Sequence, residues 1–277
     1  MVERIIGNAE VGSSILPGGT REIPFLCEEA RLTDDAKPRL ADDSPMDAIV
    51  GHLHRRRPQS GPFIVGVTGS VAAGKSVFSK ALKARLEAWP ATVELAATDG
   101  FLRPNAELEA EGLATEKGFP VSYDTAGLRA ALAGVRAGPV RLPGYSHVTY
   151  DVDAALARTV DRPDVLIVEG LNLRLDGPDE PKLIDALIYL DAEETDLEAW
   201  FVARFMGLWA AAEFDPTSFY ARFRSMSPEQ ADGFARMVWT GINLRNLREH
   251  IVHARAAADL VVRKGADHNI IAVETRP

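Results

Sequence analysis

Apolar residues along the chain change period in a regular order. After Gly61-Pro62 the run F-I-V-G-V-T is short, continuous and rich in β-branched residues; a glycine loop follows, and V-F-S-K-A-L-K-A-R-L-E-A-W then carries apolar residues at helical spacing. That order predicts strand, loop, helix. T-V-E-L-A-A-T reads as a second strand running into Asp99-Gly100, while D-V-L-I-V-E-G and A-L-I-Y-L-D are further continuous apolar runs. Continuous runs separated by helices predict an α/β fold, with a mostly parallel sheet covered by helices on both faces. Glu194 to Ala212 and Ser227 to Ala256 read as long helices, and D-L-V-V-R-K supplies a last strand.

The start of the chain behaves differently. From Met1 to about Pro45 it is rich in Gly, Pro, Asp and Glu with little periodicity, so residues 1–45 are expected to be an irregular segment ahead of a folded domain over 46–277. Ser44-Pro45 before M-D-A-I-V-G-H-L-H-R-R-R has the form of a helix start, with Ser44 as N-cap, Pro45 in the first turn and a basic last turn. Arg55, Arg56 and Arg57 are read as the end of that helix rather than as a nucleic-acid contact.

Composition narrows the class. The 277 residues are 46% hydrophobic and 26% charged, close to a soluble globular average. A formal net charge of -9 speaks against a broad electrostatic footprint for nucleic acid or an anionic membrane, so any phosphate site has to be local. The one cysteine, Cys27, excludes an intrachain disulfide framework. With neither a signal-like start nor a long apolar run, a cytoplasmic location is expected.

The candidate chemistry begins at Gly69 to Ser76. The stretch Gly69-Ser70-Val71-Ala72-Ala73-Gly74-Lys75-Ser76 matches G-x-x-x-x-G-K-[ST], and Val77 continues into the helix. Glycines let the backbone turn so that successive N–H groups face phosphate oxygens, and the following helix adds the positive end of its dipole. Lys75 is expected to reach the β- and γ-phosphates of ATP, and Ser76 to ligate Mg²⁺. Glu169, at the end of D-V-L-I-V-E-G, is the candidate carboxylate on the metal side. Asp99, 24 residues beyond Lys75, ends the next strand. It is either a general base for an alcohol or a turn residue before Gly100. A glycine loop also occurs in proteins that only hydrolyse or sense nucleotide, so the discriminating feature is a separate acceptor pocket.

Beyond the loop, T-D-G-F-L-R-P-N, K-G-F-P-V-S-Y-D, Y-S-H-V-T-Y-D, P-D-V-L-I-V-E-G-L-N and G-I-N-L-R-N-L-R occur in that order across about residues 45 to 275. This series resembles the type I (bacterial) pantothenate kinases, within the phosphoribulokinase and uridine kinase group of P-loop kinases. The resemblance implies transfer of the ATP γ-phosphate to the primary hydroxyl of pantothenate in a homodimer inhibited by coenzyme A. It implies Asp99 as base, Tyr145, His147 and Asn243 around pantothenate, and Arg204 as a lid arginine on the transferring phosphate. It also implies Lys264 and His268 near the adenine, and Lys80 at the coenzyme A phosphates. Three features depart from the family pattern. Phe201 stands where a pantothenate-contacting Tyr is usual, Leu208 and Glu213 replace aromatic pocket residues, and residues 1–45 do not resemble the family's helical N-terminus. The alternatives are a kinase for another small alcohol or nucleoside, and a nucleotide-binding regulator without phosphotransfer.

Overall fold

A computed structural model describes residues 44–89, 91–175 and 182–276. The expectations for the segment 1–45 up to its last two residues, and for Cys27, lie outside these. The first element is α1 (Pro45–Arg56), whose Ser44 side chain accepts the Asp47 N–H at 3.2 Å, as the capping pattern predicts. Arg56 at its end pairs with Asp259 at 2.5 Å and Arg57 with Asp164 at 3.3 Å. These two arginines fasten the end of α1 to residues distant in sequence.

The central sheet has six strands. In chain order its members are β1 (Phe63–Gly69), β2 (Val93–Ala97), β7 (Val165–Glu169), β8 (Ala186–Asp191), β9 (Leu260–Lys264) and β10 (Ile270–Thr275), and in space they run β10-β9-β8-β1-β7-β2. All neighbours are parallel except β9 and β10. Every residue of β1 and β7 is buried, as expected of strands covered on both faces. The antiparallel β10 is an addition to the sequence reading, which ended the sheet at D-L-V-V-R-K. Its apolar run Ile270-Ile271-Ala272-Val273 is short, and only Ile270 and Val273 are half-buried while the rest of the strand is exposed.

Helices flank or extend this sheet, among them α1, α2 (Lys75–Leu86), α3 (Asn105–Ala110), α4 (Thr125–Gly134), α5 (Glu194–Ala211) and α6 (Pro228–Val238). α6 begins with a capping box between Ser227 and Gln230. The expected single helix over Ser227–Ala256 is interrupted by two π-helical segments, Trp239–Asn243 and Leu247–Ile251, before a last short helix at His253–Ala257. Such π-turns insert an extra residue and re-aim the side chains around them. Between β2 and β7 the chain also forms two small antiparallel pairs, β3 (Pro139–Leu142) with β6 (Arg158–Asp161), and β4 (Tyr145–Ser146) with β5 (Asp151–Val152). Strands of two to four residues carry too little periodicity to be read from sequence.

Two hydrophobic clusters result. The larger surrounds the sheet; the smaller joins Val202, Phe205 and Trp209 of α5 to Phe223, Phe234 and Ala235. Phe201 packs against both, and so ties the α5–α6 unit to the main core.

Candidate functional site

The site sits at the carboxyl edge of β1, β7 and β2, where the parallel strands hand over to loops. At the end of β1, Gly69 has φ 144° and a Cβ there would meet the Leu190 carbonyl at 2.5 Å; Gly74 has φ 81°. Both positions require glycine. Ala72 also adopts φ 64°, so the loop carries strain at a residue with a side chain. Gly74 gives α2 no side-chain cap, and the N–H groups of its first turn face the loop without an intrahelical acceptor. This is a cradle for an anion.

Lys75 folds back over that cradle, donating to the carbonyls of Ser70 at 2.8 Å and Gly69 at 3.2 Å. Burial lowers its ammonium to about 8, while the carboxylates of Glu169 and Asp99 pull upward and Arg204 pushes down. Three expected site residues from separate segments therefore converge on Lys75. Glu169 is 8% exposed at the end of β7, and its carboxylate makes no hydrogen bond or ion pair to the other described residues. Ser76 lies exposed in the first turn of α2, as does Val77 at 74%. An unpaired buried carboxylate and an exposed hydroxyl, at the ends of β7 and of the glycine loop, are oxygen donors of the kind a hard divalent cation such as Mg²⁺ takes.

Asp99 lies in a 3₁₀ turn, Thr98–Phe101, directly after β2. Its charge acts on Lys75, Lys117, Tyr123, Tyr145 and Tyr150, which places it between the glycine loop and a cluster of tyrosines. The aromatic wall comes from the short β4–β5 pair: Tyr145 packs edge-on against His147 at 5.2 Å and Tyr150 at 6.0 Å, and Tyr150 against Phe219 at 4.7 Å. Burial raises the hydroxyls of both tyrosines far above the usual phenol range, so both stay protonated donors.

Arg204 is exposed on α5, and its charge acts on Lys75, Tyr150 and Tyr220. Phe201, Arg204 and Leu208 are spaced three and four apart and share one face of α5. Phe201 packs on Trp239 at 5.9 Å, while Glu213 is held away by Arg224 at 3.0 Å. Asn243 ends the first π-segment, and its side-chain Nδ2 is buried with no hydrogen-bond partner. An unsatisfied amide at this position is a donor awaiting an acceptor. Lys80 is exposed on α2.

At the other end, Lys264 is 8% exposed and donates to the Ala73 carbonyl at 3.0 Å, bracing the glycine loop from β9. His268 stacks on Trp200 with ring centres 3.9 Å apart and planes 23° from parallel. Burial, then the neighbouring Lys264 charge, lowers the His268 imidazole below its usual range. A neutral imidazole stacked on an indole is a flat surface suited to a base.

Residue-by-residue reading missed several of these groups. Lys117, quoted in K-G-F-P but given no role, donates to the Asn105 side chain and the Tyr150 carbonyl, and lies 4.6 Å from the Tyr150 ring centre. Its ammonium is lowered to about 8 by burial, against the upward pull of Asp151 and Asp99. Asn172 and Asn246 both donate to the Gly118 carbonyl at 2.8 Å, fixing the loop that carries Lys117. Trp200 adjoins Phe201 in α5, and nothing local in the sequence distinguishes the two rings.

A phosphate cradle with a separate, walled acceptor side defines a P-loop kinase, and solved structures agree on the fold. A kinase from Silicibacter sp. TM1040 assigned to a fructose transport system aligns with a TM-score of 0.61 at 26% identity over 78% of this chain and 96% of its own. D-glycerate 3-kinase from Cryptococcus neoformans var. grubii aligns at 0.57 with 14% identity over 83% and 97%. No family model matches the chain. Curated relatives are more specific: pantothenate kinase from Rhizobium rhizogenes strain K84 is 46% identical over 228 residues, 78% of this chain and 69% of that one. The enzyme of the same name from Sorangium cellulosum strain So ce56 is 44% identical over 240 residues, 83% and 76%. The chain belongs to the pantothenate kinase family.

Proposed function

We propose that the protein transfers the γ-phosphoryl group of ATP to the primary hydroxyl of pantothenate, the first step of coenzyme A synthesis. The observation that carries this reading is the convergence of Asp99 and Glu169 on Lys75 beside a distinct aromatic wall, in a chain 46% identical to a pantothenate kinase. In the reaction, Asp99 takes the hydroxyl proton as that oxygen bonds to the γ-phosphorus and the bond to the β-phosphate oxygen breaks, releasing ADP. Lys75 leaves its resting carbonyls for the phosphates, and Arg204 approaches from α5. Both cations oppose the negative charge on the transferring group. Ser76 and Glu169 would hold Mg²⁺, which would supply further neutralisation of the phosphate charge.

Tyr145, His147 and Asn243 orient the acceptor, with Phe201 contributing only apolar surface. Lys264 and His268 border the nucleotide, His268 with Trp200 taking the adenine. The protein acts in the cytoplasm as a homodimer, and coenzyme A inhibits it through contacts that include Lys80. No helix among the described residues is long and apolar enough to cross a membrane.

The decisive experiment is ADP release measured with pantothenate, uridine and a set of sugar alcohols. Turnover with pantothenate alone is expected. Because Phe201, Leu208 and Glu213 remove polar and aromatic groups from the acceptor side, a kinase of another small alcohol is the second reading, and turnover with uridine but not pantothenate would establish it over the first. ATP turnover independent of any acceptor would instead identify a nucleotide-driven regulator.

A further inference from the structure

A cavity of about 220 Å³ opens next to Thr98, the residue before Asp99, between α4 and the last helical turns at His250 to Ala254. None of Tyr145, His147, Arg204 or Asn243 lines it, so it is separate from the acceptor wall. Its electrostatics run against those of the molecule. The chain carries a net charge of -9, yet among the described residues no Asp or Glu lines this cavity, whereas Arg174, His250 and His253 do. Arginines along the nearby helix are each matched with a carboxylate, Arg245 with Glu116, Arg248 with Glu194 and Arg255 with Asp191. Among the described residues Arg174 has no such partner.

The floor is polar and buried. Thr98 is 2% exposed, and neither its hydroxyl nor that of Tyr123 meets hydrogen-bond geometry with any partner, although the two are neighbours. Buried hydroxyls are ordinarily paired. Leu128, Leu171 and Leu175 add apolar surface to the walls.

We propose that this cavity binds a small organic anion, a carboxylate or phosphate monoester with a short apolar body, and that its occupancy is felt at Asp99. The Arg174 fork and the imidazole N–H groups take the charged head by charge-assisted hydrogen bonds, and the leucines take the body. At about 220 Å³ the space falls below the roughly 300–1,000 Å³ of pockets for drug-sized ligands, which excludes a nucleotide and selects a compact ligand. Contact reaches the reaction because Thr98 opens the same 3₁₀ turn that holds Asp99. The proposal does not depend on which alcohol the enzyme phosphorylates.

The test uses the full chain with its glycine loop filled by a non-hydrolysable ATP analogue, titrated calorimetrically with hexanoate and with butyl phosphate. Saturable one-to-one binding of at least one probe is expected, weakened about tenfold or more in Arg174→Gln and unchanged in Asn243→Ala. The preferred probe identifies the head group. His253→Gln, another exposed position, gives an independent arm in which affinity should fall several-fold. In steady-state assays the bound probe should shift kcat or KM for the acceptor in the parent enzyme and not in Arg174→Gln. Failure of both probes to bind, binding that survives both substitutions, or binding lost in Asn243→Ala would overturn the proposal.

Discussion

The phosphate half and the acceptor half of this site are built from different material. The phosphate half is one continuous segment, Gly69 to Ser76, whose recognition groups are backbone N–H donors and a helix terminus, and whose one long side chain rests on its own loop's carbonyls. The acceptor half draws on side chains from the turn after β2, the Lys117 loop, the β4–β5 pair, α5 and a π-turn, with aromatic edges and an unpaired amide as its working surface. Backbone recognition tolerates almost any side chain and so suits a group shared by every P-loop kinase. Side-chain recognition can be retuned one residue at a time.

Substitutions that act on one half and spare the other test the division. The largest effect is expected for Asp99→Asn, which should lower kcat by about 10²–10⁴ while leaving ATP affinity intact; stopped-assay rates and nucleotide titration measure the two separately. Wild-type turnover in this variant would remove Asp99 as the base. Next comes pH. Lys75 is lowered to about 8 in the free protein, so the ammonium that meets phosphate is fully present below that value and lost above it. ATP affinity should therefore fall as pH rises through 8, by up to about tenfold per unit, because nucleotide favours the protonated form. Lys117, also lowered to about 8, should put its limb on the acceptor KM instead, and Lys117→Met should flatten that limb alone.

A smaller change is expected from Lys264→Met, which removes the bond to the Ala73 carbonyl. At about 1.5 kcal/mol for a charge-assisted bond, the KM for ATP should rise roughly tenfold with the acceptor KM unmoved. The smallest is Phe201→Tyr. A new hydroxyl on the acceptor face of α5 is worth about 1 kcal/mol, so the KM for pantothenate should drop around fivefold, with no change for ATP. An unaltered pantothenate KM would mean that this face of α5 lies away from the substrate.

How much of this was legible beforehand follows the same line. The chain alone determined the strand–loop–helix of the phosphate site, the burial of β1, β7 and β8, the cap at Ser44 and the acidic ends Asp99 and Glu169, because each depends on neighbours a few residues apart. Only tertiary structure decided the rest. It brought Lys117 to Asp99 and Tyr150, set Trp200 rather than Phe201 against His268, added β10 at the sheet edge, and broke the expected helix over Ser227–Ala256 with π-turns that leave Asn243 unpaired. Local periodicity and backbone geometry are short-range properties written in contiguous residues. The surroundings of a buried lysine or an orphan amide are made by segments tens of residues apart, and no spacing along the chain encodes which of them will meet.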